Sequence, residues 1–366
     1  MRYYLGLIPI FIWALLYPVS VQANVQVSAN NAVLMEQSSG RVLFEKSAHE
    51  KRPIASITKV MTAIIAIESG NLKGKVKTSR RAIYTEGSSI YLELGEKITM
   101  EDLIYGLMLR SGNDAAVAIS EHIGGSVEGF VYLMNEKAKW IGMTNTNFTN
   151  PHGLHDDNHY STAYDMALLM RYAMENDLFK KISSTTTYQS ENRSYAWKNK
   201  NKLLTYYYAH CTGGKTGYTR KAGRTLITTA HKDNMDLITV TLNGPDDWRD
   251  HIQLFEWGFK NYNVYTLKNE GEIQLKTKET EEDVKGYIHH PVRYPLTENE
   301  LRNINSQITL PQSRTWLDEN QVAKMTFHLN DKTIKDVPIY NKNVDTHLYQ
   351  EVYQLLKQMM GLRLDG

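Results

Sequence analysis

Apolar positions follow two periods along this chain, and the changes from one to the other mark out its elements. Residues 32–35 and 41–45 are short apolar runs on either side of Ser38-Ser39-Gly40, the pattern of a β-hairpin. Val60, Met61, Ile64, Ile65 and Ile67 then fall at helical spacing on nearly every side, which predicts a helix buried almost all round. Helical spacing recurs over residues 100–109, 114–123, 126–141 and 162–176, with Gly-, Asn- and Pro-rich breaks between. Two β-rich runs, 224–230 and 237–242, are joined by a tight Lys232-Asp-Asn turn, and an amphipathic helix covers 247–260. A strand pair, many helices, a second strand pair and a helix predict an α/β domain over residues 24–262. Its sheet has helices on its faces, and its first and last strands meet.

After Asn263 the texture changes. Alternating segments at 273–277, 322–327 and 333–339 predict strands of a small β-rich domain spanning 263–342. Leu348, Val352, Leu355, Leu356 and Met359 then form one apolar stripe, so 343–366 reads as an amphipathic helix. Such a stripe suits either the surface of a membrane or packing against the β domain. Its mixed polar face, with Glu351 and Asp365 beside Lys357 and Arg363, makes any attraction to anionic lipid modest.

At the other end, Arg2 precedes an apolar run at 5–19 broken by Pro9 and Pro18 and followed by Val21-Gln-Ala23. The run is shorter than the ~20 apolar residues of a spanning helix. It matches an export signal cut after Ala23 better than an uncleaved anchor, so residues 1–23 are excluded from the fold. The expected location is therefore extracytoplasmic: secreted, or peripheral on the outer face of the cytoplasmic membrane. Charge is nearly balanced, 42 basic against 40 acidic residues, without a run of five like charges. That argues against electrostatic binding of nucleic acid. The lone Cys211 cannot form an intramolecular disulfide and reads as a small packed residue.

Candidate chemistry starts at the apolar helix. Ser56 and Lys59 precede it as Ser-x-x-Lys, three residues apart and therefore on one helix face. A hydroxyl beside an amine that can take its proton is the first requirement of an activated serine. Pro53 favours a helix start near Ser56, whose first-turn amides would point at an oxygen placed above it. About one chance Ser-x-x-Lys is expected in a chain of this length, and the plain alternative is a Ser56 N-cap with a solvated Lys59. Two further tripeptides discriminate. Ser111-Gly-Asn113 lies in a break between helices, and Lys215-Thr-Gly217 lies just before the later strand pair. Together, in this order, the three are the set found in serine β-lactamases and penicillin-binding proteins.

Around these motifs the chain resembles the low-molecular-mass penicillin-binding proteins, serine-type D-alanyl-D-alanine carboxypeptidases. The resemblance rests on Ile54-Ala-Ser-Ile-Thr-Lys-Val-Met-Thr62, Gly106-Leu-Met-Leu-Arg-Ser-Gly-Asn-Asp-Ala115, Asn150-Pro-His-Gly-Leu154, His159-Tyr-Ser-Thr-Ala-Tyr-Asp165 and Gly213-Gly-Lys-Thr-Gly-Tyr218. Trp197-Lys-Asn-Lys-Asn-Lys-Leu-Leu204 resembles the sporulation-type branch of endospore formers, which trims spore-cortex peptidoglycan. The resemblance implies the penicillin-recognising serine transferase fold, an antiparallel sheet flanked by helices plus a small C-terminal β domain. It implies an acyl-enzyme on Ser56, Lys59 as base, and Ser111 passing a proton to the leaving D-Ala. It gives Asn113, Lys215, Thr216 and Gly217 to the substrate, and the backbone N–H groups of Ser56 and Tyr218 to an oxyanion hole. The expected partners are peptidoglycan stem peptides and, as inhibitors, β-lactams, with no metal or organic cofactor needed. A lysine at its ordinary pKa of ~10.4 is neutral in only about one molecule in a few thousand at pH 7, so Lys59 must be perturbed. Burial and a second cation, naturally Lys215, would do this. Many relatives carry a carboxylate-binding arginine at the start of the helix after the last motif strand. Here it is displaced, leaving Arg220, Arg224 and Arg249 as alternatives.

Three rival readings remain. A serine β-lactamase of class A would need a deacylating Glu-x-x-Leu-Asn, and that pattern is absent from the sequence. A zinc peptidase could draw on His152, His155 and His159 with Asp156 and Asp157, but the segment reads as a loop and lacks His-Glu-x-x-His. A non-catalytic wall-binding module would keep the pocket without the chemistry, yet every motif side chain is present.

Overall fold

A computed structural model describes residues 25–275, 284–310 and 321–341. The expected export signal and the C-terminal amphipathic helix lie outside the described residues. The chain begins with the hairpin β1 (Asn31–Glu36) and β2 (Val42–Lys46). A 3₁₀ turn, Ala55–Thr58, leads into α1 (Lys59–Glu68), so Ser56 sits one turn before the α-helix rather than inside it. The short pair β3 (Lys75–Lys77) and β4 (Lys97–Thr99) brackets α2 (Arg80–Ile83), and α3 (Met100–Tyr105) runs into a π-helical turn, Gly106–Arg110. Then come α4 (Asn113–Gly124), α5 (Val127–Ile141), α6 (Ala163–Ala173), α7 (Asp177–Ser184) and the small ladder β5 (Thr187–Tyr188) with β6 (Trp197–Lys198). A second π-helical turn, Leu203–Tyr207, precedes β7 (Cys211–Thr219), β8 (Gly223–Lys232), β9 (Met235–Leu242) and α8 (Asp247–Asn261).

These strands form one antiparallel sheet in the order β2-β1-β9-β8-β7. The expected meeting of first and last strands is met: β1 pairs with β9, Val33 opposite Val240 and Met35 opposite Ile238. Both faces of this sheet are covered. Val33, Met35, Ile238 and Val240 pack on the side of α1, α3, α4 and α6, while Ala32, Leu34 and Leu237 pack with Leu254 and Phe255 of α8. A strand covered on both faces is buried along its whole length, and β1 is buried at all six positions and β9 at every position but Asp236, its Thr239 and Thr241 included. Residues 59–67 of α1 are all buried, as the all-round apolar pattern requires.

Beyond α8 lie β10 (Asn263–Lys268), β11 (Gly271–Leu275), β12 (Val284–Ile288), β13 (Val292–Leu296), α9 (Glu298–Leu301), β14 (Ile304–Thr309), β15 (Gln321–Leu329) and β16 (Lys332–Tyr340). β10 pairs with β13, and the others form an antiparallel sheet in the order β11-β12-β16-β15-β14 around Leu275, Ile288, Met325, Phe327 and Ile339. Arg41 of the first hairpin reaches this part of the chain. It pairs with Glu300, donates to the Pro295 carbonyl, and its guanidinium lies 5.3 Å from the ring centres of Tyr262 and Tyr294.

Candidate active site

Ser56, Lys59, Ser111, Asn113 and Lys215 come from a turn, a helix start, a loop and a strand, yet converge at one edge of the first sheet. Thr225 of β8 donates to the Ile54 carbonyl at 2.9 Å, tying the Ser56 turn to the sheet. β7 is the edge strand beside that turn, and Gly217 lets the two backbones touch. A Cβ on Gly217 would lie 2.8 Å from the Ser56 amide nitrogen. The loop carrying Ser111 follows the π-helical turn, and Ser111 itself has φ +64°, which turns the chain sharply into α4. Asp114 fixes the facing loop by accepting from the backbone N–H groups of Ile90 and Leu92 and from the Ser89 hydroxyl.

Lys59 is 0% exposed. Its Nζ lies 3.0 Å from Ser56 Oγ, 2.7 Å from Asn113 Oδ1 and 2.6 Å from the His152 carbonyl oxygen. Asn113 is oriented independently, because its amide nitrogen donates to the Glu86 carbonyl. Burial first, and the charge of Lys215 next, hold the Lys59 amine well below the ordinary lysine value. Lys215 is 1% exposed, and its Nζ donates to Ser111 Oγ at 3.1 Å and to the Thr216 carbonyl at 2.6 Å. Burial, followed by the nearby Lys200, lowers it to about 7. The plain alternative for the tetrad therefore fails on both residues. The 3₁₀ turn and α1 have no side-chain N-cap at Ile54 or Thr58, and Lys59 is not a solvated helix end.

A cavity of about 530 Å³ opens above this cluster. Ser56, Ser111, Thr216, Gly217 and Tyr218 line it, while the buried Lys59, Asn113 and Lys215 lie beneath. Cavities of about 550 and 680 Å³ open elsewhere, beside Arg81 and His152 and among Glu36, His290 and Lys335. Neither presents a serine beside a buried lysine, so chemistry rather than volume locates the site. Of the three arginines left open, Arg224 faces the cavity, together with Asp247 and Trp248. Its guanidinium is paired with Asp247 and lies 5.5 Å from the Trp248 ring. Lys200 and Ser88 also line the cavity and hydrogen-bond each other at 3.1 Å. The sequence gives neither a role, although Lys200 sits within the Trp197–Leu204 stretch already singled out.

The histidines are used otherwise than a zinc site would require. His159 is buried, with Nε2 2.8 Å from Thr58 Oγ1 and Nδ1 accepting from the Thr149 amide. His152 Nδ1 accepts from the Leu154 amide, and His155 faces Asp157 at the surface. Among the described residues no group of three or more His, Cys, Asp or Glu is placed to hold a metal. Cys211 is buried, and burial pushes its thiol up to about 12, far from a reactive thiolate.

Residues 18–246 match the Peptidase_S11 family, D-alanyl-D-alanine carboxypeptidase, and residues 259–346 match the C-terminal domain of penicillin-binding protein 5. The chain is 37% identical over 261 residues to D-alanyl-D-alanine carboxypeptidase DacF of Bacillus subtilis, covering 68% of this chain and 67% of that one. It is 32% identical over 344 residues to DacC of Escherichia coli, covering 86% and 83%. Among solved structures, penicillin binding protein 5 from Haemophilus influenzae superposes with a TM-score of 0.75 at 28% identity, covering 87% of this chain and 97% of that one. The fold, the match along both sheets and the agreement with curated relatives place this chain in the D-alanyl-D-alanine carboxypeptidase family of serine peptidases.

Proposed function

We propose that Ser56, Lys59 and Ser111 carry out the removal of the terminal D-alanine from peptidoglycan stem peptides. The observation that carries this reading is the set of three contacts around Lys59 Nζ. Two are carbonyl oxygens, which only accept, and the third is the Ser56 hydroxyl. A neutral amine has two N–H bonds and one lone pair, so with its hydrogens on Asn113 and His152 the lone pair faces Ser56 Oγ–H. Ser56 Oγ then bonds to the substrate carbonyl carbon while its proton passes to Lys59. Backbone N–H groups of Ser56 and Tyr218 receive the developing oxyanion, an interaction worth ~3–4 kcal/mol per donor. Ser111 delivers a proton to the leaving nitrogen as the C–N bond breaks. Water subsequently cleaves the acyl-enzyme.

Thr216 at the cavity surface and Lys215 beneath it hold the substrate's terminal carboxylate, with Arg224 lining the same cavity from the neighbouring strand β8, and Asn113 orients the peptide. Gly217 leaves room for an extended peptide along the open edge of β7. β-Lactams acylate the same serine and act as inhibitors. The proposed boundaries near 23, 262 and 342 divide the chain into an export signal, the enzyme, a β-rich domain and a terminal amphipathic segment suited either to the outer membrane face or to packing against the β domain. Spore-cortex trimming is the setting suggested by the Trp197–Leu204 resemblance. Mass spectrometry of a pentapeptide stem incubated with the purified protein should show loss of a single alanine residue. An unchanged pentapeptide with folded protein refutes the reading.

A further inference from the structure

The residue before the reactive serine has a backbone that alanine rarely adopts. Ala55 has φ +49°, in the left-handed region, and it is buried within a turn of only four residues. Its carbonyl oxygen is held from two sides. Thr58 Oγ1 donates to it at 2.8 Å, and Gly153, itself at φ +85°, packs so closely that a Cβ there would lie 1.9 Å from the same oxygen. Thr58 occupies the second variable position of the Ser-x-x-Lys tetrad and is 0% exposed.

The direction of the Thr58 hydrogen bond is set from further back. His159 Nδ1 accepts from the Thr149 amide at 3.1 Å, so in the neutral ring the hydrogen resides on Nε2. Nε2–H therefore donates to Thr58 Oγ1 at 2.8 Å, leaving the threonine's own hydrogen for the Ala55 carbonyl. The ring is buried against Phe148, and burial lowers its pKa to about 4, so this tautomer persists across the neutral range. The same loop, residues 149–154, supplies the His152 carbonyl that accepts from Lys59, and Thr62 of α1 donates to its Pro151 carbonyl at 2.6 Å. One loop thus touches the base directly and the serine's turn through His159.

We propose that His159 and Thr58 are positioning residues: the relay His159 Nε2–H to Thr58 Oγ–H to the Ala55 carbonyl holds the turn in the conformation that aims Ser56 at Lys59 and its amide at the oxyanion. Neither residue touches substrate. Each acts by denying Ala55 its ordinary backbone angles. The proposal rests on the reading that Ser56 is the acylated residue.

The test separates acylation rate from affinity, using fluorescent penicillin under single-turnover conditions well below each variant's melting temperature. Thr58→Val removes the hydroxyl at nearly constant volume and should slow the limiting acylation rate by about 10-fold to 100-fold, with the pre-covalent dissociation constant little changed. Thr58→Ser keeps the donor and should stay within about 3-fold of the parent. His159→Gln, whose amide N–H can replace Nε2–H, should retain more activity than His159→Leu, which should resemble Thr58→Val. Lower melting temperature with an unchanged limiting rate in both Thr58→Val and His159→Leu overturns the proposal, since packing alone would produce that. Absence of acylation in the parent protein would overturn instead the assignment of Ser56 on which it rests.

Discussion

Ser56 lines the cavity and Lys215 lies beneath it, and the two are carried by supports of opposite kinds. The Ser56 turn is enclosed: the carbonyls before it take hydroxyls from Thr225 and Thr58, and Lys59 draws partners from α4 and the 149–154 loop. β7 is a sheet edge, with three glycines in nine residues and Thr216, Gly217 and Tyr218 along the cavity. The enclosed part fixes the geometry of bond making, whereas the open part leaves backbone and side chains for a ligand. Enclosure should therefore govern rate, and the edge should govern affinity.

The largest expected effect tests the first half of that contrast. Lys59→Ala should lower the acylation rate at least ~10³-fold while the protein stays folded by circular dichroism, because both the base and the orientation of Ser56 are lost. A loss below ~10-fold would break the contrast. Lys215→Ala addresses the edge. It should reduce kcat/KM by ~10²-fold, mostly through KM, as expected for removing a charged partner of a carboxylate. Were the loss entirely in kcat, Lys215 would belong with the enclosed group.

pH sharpens the comparison further, since both lysines are depressed but are needed in opposite forms. Lys59 must be neutral, so kcat/KM rises with pH through its lowered pKa. Lys215 must be charged to hold a carboxylate, and its pKa is lowered to about 7, so kcat/KM falls above about 7 in the free enzyme. Lys215→Arg should move the alkaline limb upward by keeping the charge, even if activity drops. An unmoved limb would assign it elsewhere. The smallest effect is expected at Arg224, already paired with Asp247 and partly exposed. Arg224→Ala should raise KM by only ~3-fold to 10-fold, measured with D-alanine release.

Much of the molecule was legible in the sequence wherever burial dictates residue type. β1, α1 and β9 are apolar because both sheet faces are covered, and their pairing follows from the order of elements. β7 was less legible: read as a segment preceding the strand pair, it is a nine-residue strand in its own right. Its glycines are poor strand formers, present because Ser183, Thr228 and the Ser56 turn approach too closely for a side chain. The start of α1 shows the same limit, since the 3₁₀ turn depends on Thr225, Thr58 and Gly153, which are distant in sequence or mute without the fold. The β-rich domain offered short alternating segments, and β10 and β14 escaped notice because half-exposed strands carry weak apolar periodicity. At the site, the three motifs named their residues, but Lys200 and Ser88 joined the cavity without any spacing to announce them.

Peptide mapping of the protein after reaction with benzylpenicillin tests the central claim most directly. The account predicts one adduct, of the mass of the intact β-lactam, on Ser56, and none in Ser56→Ala. An adduct on another residue, or D-alanine release undiminished in Ser56→Ala, would contradict it.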